Sequence, residues 1–534
     1  MKKLFSTLLL AATAMASQAT DYTTTVNVNA GAGTTAYENA TVSVEETTEG
    51  KCKVTIKNLS YKYYTQETAV GTIVIDDVDF SAAGIYNLFS AAKGIDIQAG
   101  DDESKNWEGP SYSTLCGGSV PAFLSGEIRN GKVYANLVLD TYGAIKRTLK
   151  ITIGDGTFAV GQIPNSGFED FHTVTVGSTS SQEPNTWHSF MSATGGLAAF
   201  VTQTIHTAES SEVRPGSTGS KSVLVTANAA ILGQIPNGTI TTGQMNAGAM
   251  KAADTKNHAF LDFTNTSLDS NNDPFYTTLD AQPDSIKLWV KFQQGTGNLT
   301  TGYPYATVSA ALTDGTRYQE PYATTDITNV AARAQNAKIE SKDEWQLLSV
   351  PFDYDSYTAN AVNPKAIFVT ISTNAEPGKG SADDKLYVDD VELVYNAKLA
   401  SVKVNGKDLD SFSADKLYYD GLASEKEVSI DDVEVVKNGV GASVTKSITR
   451  NASTPGKATV IATVVSADCK TVNRYSFVFS EPCDGITAVE TSFDENASAN
   501  KIYTLSGQQV SRMQSGNVYL VKGANGKTVK VIKK

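Results

Sequence analysis

Residues 285–292 read Ser-Ile-Lys-Leu-Trp-Val-Lys-Phe, with an aliphatic or phenylalanyl side chain at every second position. A strand sends successive side chains to opposite faces, so this segment is a strand with one buried and one open face. Similar short alternating runs recur along the chain: Tyr22–Val28, Cys52–Asn58, Thr72–Val78, and Ala122–Asp140 folded back at Asn130-Gly131. An Asn-Gly pair between alternating segments favours a tight hairpin, because both turn positions take positive φ. Thr, Ser, Asn and Gly are abundant, and long Glu/Lys/Leu/Ala helical patterns are nearly absent. The expected class is all-β, and 534 residues are too many for one core, so several domains follow.

The N-terminus carries an address. Lys2 and Lys3 precede an apolar run, Leu4 to Ala16, too short to span a bilayer, and small residues suit cleavage at Ala14-Met15-Ala16 or Ser17-Gln18-Ala19. Residues 1–19 are therefore read as a secretory signal peptide. No Cys follows the apolar run to take a lipid, and no other run approaches transmembrane length. The net charge is −13, and −15 once Lys2 and Lys3 leave with the signal. Nucleic acid is disfavoured as a partner, since phosphate neutralisation needs a basic face. An anionic membrane surface is disfavoured for the same reason.

Four segments follow the signal. In residues 20–160, up-and-down strands with the late Asn-Gly hairpin resemble the calycin-like β-barrel domains of exported Bacteroidetes proteins. Such a barrel either holds a small ligand or is filled and structural, and the structural reading is favoured here. Residues 161–396 open with Asn165-Ser166-Gly167-Phe168-Glu169, continue through Trp187, and close with Tyr387-Val388-Asp389-Asp390-Val391-Glu392-Leu393. These end motifs resemble β-jelly-roll carbohydrate-binding modules, and the segment is most similar to the carbohydrate-metabolism domain of Bacteroidetes surface proteins. Residues 397–482 begin Leu399-Ala400-Ser401-Val402 and end Tyr475-Ser476-Phe477-Val478-Phe479. They resemble the immunoglobulin-like or cadherin-like sandwiches appended to secreted glycan-handling proteins, where the expected role is a spacer. Residues 483–534 join a Ser/Asn/Glu-rich linker to Ile502-Tyr503-Thr504-Leu505 and Gly516-Asn517-Val518-Tyr519, ending on a basic strand. This resembles the C-terminal sorting tail of type IX secretion substrates. Together the two ends imply the cell surface or the medium, with the periplasm as the fallback.

The four cysteines, Cys52, Cys116, Cys469 and Cys483, match no zinc spacing. Three pairings are open. Domain boundaries favour Cys52 with Cys116 and Cys469 with Cys483, with free buried thiols as the alternative.

Sugars are held by stacking on aromatic rings and by hydrogen bonds to their hydroxyls. On strand parity Trp289 shares the open face with Lys287 and Lys291, which makes it the leading carbohydrate-binding candidate. Tyr305 falls on the polar parity of its strand, and Tyr303, Tyr318 and Tyr322 stand near turns where they complete a platform, with Arg317 as a donor to hydroxyls. For each tyrosine, ordinary sheet-surface packing competes with binding. Trp187 and Trp345 read as structural, and Trp107 is unassigned. The jelly-roll resemblance implies a structural calcium, with Glu169 and Asp390 at the family's ligand positions and Asp389 as substitute. Solvated edge charges are the competing reading.

No catalytic residue is assigned. The acid pairs Asp76-Asp77, Asp101-Asp102 and Asp383-Asp384 are adjacent in sequence, which on a strand sends them to opposite faces, and glycoside hydrolysis needs two carboxyls across one cleft. Glu169, Asp262 and Glu344 are the acids left for such a pair. His172, His188, His206 and His258 show no metal spacing, and no nucleophile elbow is present. The reading is a secreted, non-catalytic carbohydrate-binding protein whose partner is a polysaccharide or other glycan. Its alternatives are a glycoside hydrolase using the same domain, and an adhesin or assembly subunit that meets an envelope or host protein.

Overall fold

The computed structural model describes residues 19–228, 234–296, 303–321, 327–424, 427–450, 457–480, 489–490, 501–522 and 528–532. The signal segment through residue 18, Tyr322, Cys483 and linker residues 491–500 lie outside these. The chain is all-β, and among the described residues no helix is long and apolar enough to cross a membrane. Two compact units divide it. The first comprises residues 1–398, 437–443 and 464–472, and the second 399–436, 444–463 and 473–534.

The first unit starts with a barrel of β1 (Thr20–Asn29), β2 (Thr34–Thr48), β3 (Lys51–Tyr63), β4 (Gln66–Ala83), β5 (Tyr86–Ile95), β6 (Ile97–Gln98), β7 (Val120–Arg129), β8 (Lys132–Leu139) and β9 (Leu149–Ile153). Eight of these close antiparallel in the order β3-β2-β1-β9-β8-β7-β5-β4, β4 returning to β3, and β6 is added at β4. The turn between β7 and β8 is the expected one, with Asn130 and Gly131 at φ 51° and 72°. Side chains from all eight strands, among them Val28, Val44, Ile56, Ile73, Phe89, Leu124, Leu137 and Ile151, fill the interior. Strands β7 and β8 are buried on their outer face as well, so their sequence loses its alternation. There Glu127 Oε2 accepts from Thr278 Oγ1 at 2.8 Å, and Asn136 Nδ2 donates to the Asp468 carbonyl at 2.9 Å.

The jelly roll follows. It contains β10 (Phe171–Val176), β11 (Thr179–Pro184), β12 (Thr207–Ser210), β13 (Ser222–Thr226), β14 (Thr239–Thr241), β15 (Gln244–Ala247), β16 (Asn257–Leu261) and β17 (Thr277–Thr278). It continues with β18 (Ser285–Gln293), β19 (Ala306–Thr313), β20 (Tyr318–Glu320), β21 (Val330–Ile339), β22 (Gln346–Pro351), β23 (Ala366–Ser372) and β24 (Lys385–Val394). One sheet runs β12-β13-β24-β18-β22 and the other β14-β23-β19-β21, with β17 on β23. A smaller sheet, β15-β16-β20, and the hairpin β10-β11 complete it. Ile286, Leu288, Val290 and Phe292 of β18 meet Val308, Ala310 and Leu312 of β19 and Ile367, Val369 and Ile371 of β23 in one core. The opening motif closes this core: Phe168 and Trp187 are fully buried, and Trp187 Nε1 donates to the Pro164 carbonyl at 3.2 Å.

In the second unit, Tyr418–Leu422 pairs in parallel with Val472–Phe479, and Tyr419 stacks on Phe477 at 5.3 Å between centroids. The chain ends in a small sheet of Lys501–Thr504, Gln509–Val510, Val518–Lys522, Thr528–Ile532 and Val489–Glu490.

The expected pairing of Cys52 with Cys116 is not made; both are free thiols, as is Cys469. Cys52 is sealed on β3 among the barrel-filling side chains. Cys116 ends the short helix Tyr112–Leu115, its Sγ 3.9 Å from the Asp140 carbonyl oxygen. Sharing one domain does not bring two Cβ atoms into disulfide geometry.

Candidate functional site

The sheet β14-β23-β19-β21 turns its second face away from the core, and that face changes character along each strand. On β23, Ala366 and Phe368 give way to Thr370 and Ser372; on β19, Ala311 is preceded by Ser309 and Thr307; on β21, Val330 is followed by Arg333 and Gln335. The apolar half is covered by β15-β16-β20: Phe368, Ala311 and Val330 pack with Met245, Ala259, Leu261 and Tyr318. The polar half is left as the floor of a cavity of about 480 Å³, within the ~300–1,000 Å³ usual for small-molecule sites. Register aligns the floor in rows, Thr239-Ser372-Thr307 and Thr370-Ser309-Gln335.

One carboxylate organises this floor. Glu320 Oε1 accepts from Tyr318 Oη at 2.7 Å, Ser309 Oγ at 2.9 Å, and Arg333 Nη2 and Nε at 3.0 and 3.2 Å. Arg333 Nη2 also reaches Ser309 Oγ at 3.2 Å. The hydroxyls of Thr239 and Ser372 bond to each other. The walls are mostly aliphatic, from Leu197, Ile235, Met245 and Met250, with Phe190 and Phe200. His258 joins them, its Nε2 3.0 Å from Arg317 Nη2; burial, with Arg317 adding, holds its pKa below the usual histidine range. Among the described residues Glu320 is the one carboxylate lining this cavity.

The expected binding residues divide over different places. Tyr318 is buried against Phe368 and contributes its hydroxyl to Glu320. Arg317 stacks on Phe260 at 4.2 Å, behind His258. Tyr303 and Tyr305 reach the cavity only through their backbones, their carbonyls accepting from the lining residues Asn374 (Nδ2, 2.6 Å) and Ala375 (N, 3.0 Å). Trp289 belongs to the other sheet. Parity there runs as expected, with Lys287, Trp289 and Lys291 half-buried on the outer side of β18. The Arg214 guanidinium lies 5.5 Å from the Trp289 ring centroid, and Trp345 meets Tyr387 edge-on at 6.4 Å. Trp289 and the described tyrosines, Tyr303, Tyr305 and Tyr318, therefore do not form one platform. The cavity floor went unread in the sequence, although its signal is present: the switch from Phe368 to Thr370 and Ser372 on one parity.

The carboxylates expected at a calcium are already partnered. Glu169 accepts from the backbone N–H groups of Ser220 and Lys221 and from Ser220 Oγ, at 3.0–3.2 Å. Asp389 Oδ2 accepts from Arg214 N at 3.0 Å, and Asp390 Oδ2 from Arg214 Nε at 2.5 Å. Asp389 Oδ1 is buried without a partner, and burial, ahead of the neighbouring Asp390 charge, raises the pKa of this side chain. Among the described residues no three His, Cys, Asp or Glu side chains are gathered to hold a metal ion. With Arg214 drawn up to both aspartates, these residues do not fit a preformed calcium site.

The calycin-like β-barrel domain family matches residues 19–154. No curated protein matches the chain. Solved structures resemble it at low identity. One, titled a "putative glycoside hydrolase" from Bacteroides vulgatus, is 16% identical over 45% of this chain and 99% of its own, with a TM-score of 0.32. Another of the same description, from Bacteroides thetaiotaomicron, is 16% identical over 52% and 87%, with a TM-score of 0.29. A third, titled a "putative outer membrane protein" from Bacteroides fragilis, is 13% identical over 26% and 49%, with a TM-score of 0.19.

Proposed function

We propose that this is an exported, non-catalytic glycan-binding protein whose ligand enters the jelly-roll cavity. The observation that carries the reading is the floor itself. Rows of Thr, Ser and Gln side chains, Ser309 among them tied to the Glu320–Arg333 pair, offer donors and acceptors at the spacing of a sheet, while apolar walls face the weakly polar sides of a sugar ring. Catalysis is the weaker reading. Glycoside hydrolysis uses two carboxyls some ~5–9.5 Å apart, and the carboxylate at hand, Glu320, is tied to a guanidinium and two hydroxyls. The barrel interior, packed with its own side chains, is read as support for the jelly roll. Export rests on the N-terminal signal and the sorting-type tail.

Retention of the mature full-length chain on a panel of immobilised polysaccharides tests this. Gln335→Ala with Thr370→Val is expected to weaken retention about three- to tenfold per lost hydrogen bond, with folding intact. Abolition by Trp289→Ala alone would move the site to the other sheet. Release of reducing sugar from the panel would make the protein a hydrolase.

A further inference from the structure

The walls of the cavity do not match its floor. Among the described lining residues there is no Trp or Tyr, the side chains that ordinarily carry a stacked sugar. The rim is instead formed by Phe200 on the short helix Ala198–Val201 and by Met250, which are 52% and 56% exposed. Behind them Leu197, Ile235, Met245 and Pro377 continue the apolar surface inward to the hydroxyl rows. A ligand polar on all its edges would leave this aliphatic strip facing hydroxyl groups. A ligand polar at one end and apolar at the other would satisfy both halves, and burying apolar surface is favourable in proportion to its area.

Building on the glycan-binding reading, we propose that the cavity takes an amphipathic glycan: a sugar head on the Thr/Ser/Gln/Arg floor, carrying an alkyl or acyl substituent along the Phe200–Met250 rim. Thr239, Thr307, Ser309, Thr370 and Ser372 lie on one face of the sheet and Phe200 and Met250 at its mouth, so the chemistry runs from hydrophilic inside to apolar outside. The sugar is read in the interior, and the substituent is covered where it leaves. Methionine suits a rim that fits chains of different shape, because its side chain is unbranched and polarisable.

Calorimetric titration of the mature full-length protein tests the proposal, using the octyl and methyl glycosides of glucose, galactose, mannose and N-acetylglucosamine below micelle-forming concentration, with octanoate as control. Each fully buried methylene contributes about fourfold in affinity. At least one octyl glycoside is therefore expected to bind saturably, at least ~10-fold tighter than both its methyl counterpart and octanoate. The double variant Phe200→Ser/Met250→Ser should lose that preference while keeping its far-ultraviolet circular dichroism. Equal binding of methyl and octyl glycosides overturns the proposal but leaves the glycan-binding reading standing. So does octanoate binding as tightly as the glycoside, or an octyl preference that survives in the double variant. Loss of polysaccharide retention in Gln335→Ala/Thr370→Val without any octyl preference separates the two claims from the other side.

Discussion

Arg333 meets a single oxygen of Glu320 through two nitrogens, Nε at 3.2 Å and Nη2 at 3.0 Å, and the same oxygen collects the hydroxyls of Tyr318 and Ser309. Three elements, β19, β20 and β21, thus converge on one atom, and the small sheet is locked to the large one at the border between its apolar and polar halves. Of the floor hydroxyls, that of Ser309 is thereby held by the node before any ligand arrives.

Removing Arg333 should therefore cost more than removing the charge of Glu320. In Arg333→Ala the carboxylate, its side chain 12% exposed, keeps its charge without its cation. Fully buried pairs lose ~3–5 kcal/mol when one partner is deleted, and about 2–4 kcal/mol is expected at this partly shielded site. Glu320→Gln keeps an acceptor for Tyr318, Ser309 and Arg333 and should lose about 1 kcal/mol. Urea midpoints at unchanged slope measure both, and a reversed order would show that the carboxylate, not the pairing, carries the stability.

The junction between barrel and jelly roll predicts a pH dependence. Asp280 stands beside Ser125, and burial together with the Glu127 charge pushes its carboxyl up to about 7. Burial also raises Glu127, against the opposing charge of Arg129. The native state then holds a proton on Asp280 that the unfolded chain releases near the ordinary value of 3.8. This contribution is complete below that value, falls as pH rises, and is gone above about 7. Asp280→Asn should raise the melting temperature at pH 8 and flatten the decline between pH 4 and 7. An unchanged slope would place the carboxyl in contact with water.

The thiols should differ in reactivity rather than pair. Burial, with help from Glu46 and Asp79, pushes the Cys52 thiol up to about 12, so it carries almost no thiolate at pH 8. Cys116 is half-buried and should react before Cys52 and Cys469 with a disulfide reagent under native conditions, while Cys52 becomes labelled on unfolding. Non-reducing peptide mapping that joins Cys52 to Cys116 would contradict the free-thiol arrangement.

How much of this was legible beforehand follows from what periodicity encodes. Alternation in residues 285–292 gives the strand, its buried parity and the outward direction of Trp289, because one face meets a core and the other does not. The Asn130-Gly131 turn is legible because positive φ at two successive positions suits few other pairs. The cavity is not legible in the same way. Its floor and the covered apolar patch share one parity on β19 and β23, a register shift breaks that parity on β21, and only the placement of β15-β16-β20 decides where one ends and the other begins. The aromatic residues mislead for a related reason. Tyr318 has the composition of a surface binder, yet its ring is spent on Phe368 and only its hydroxyl reaches the site.

The opening and closing strands supply the last prediction. Arg214 takes Asp389 Oδ2 on its backbone N–H and Asp390 Oδ2 on Nε, and its guanidinium also lies over Trp289. The guanidinium thus lies against Asp390, one of the positions where the resemblance to jelly-roll modules implied calcium. Two adjacent carboxylates repel, and charge-assisted hydrogen bonds to them contribute ~1.5–3 kcal/mol each. Because the Arg214 and Asp390 side chains are 22% and 35% exposed, Arg214→Ala should cost about 1–2 kcal/mol, less at high salt. Chelator should leave the melting temperature of the unmodified protein unchanged. In Arg214→Ala the Asp390 carboxylate is freed, while Asp389 Oδ2 keeps the backbone N–H of residue 214 and its buried Oδ1 stays without a partner. Millimolar calcium should then restore part of the lost stability. A fall in melting temperature on adding chelator to the unmodified protein would return calcium to this position and make Arg214 its companion rather than its replacement.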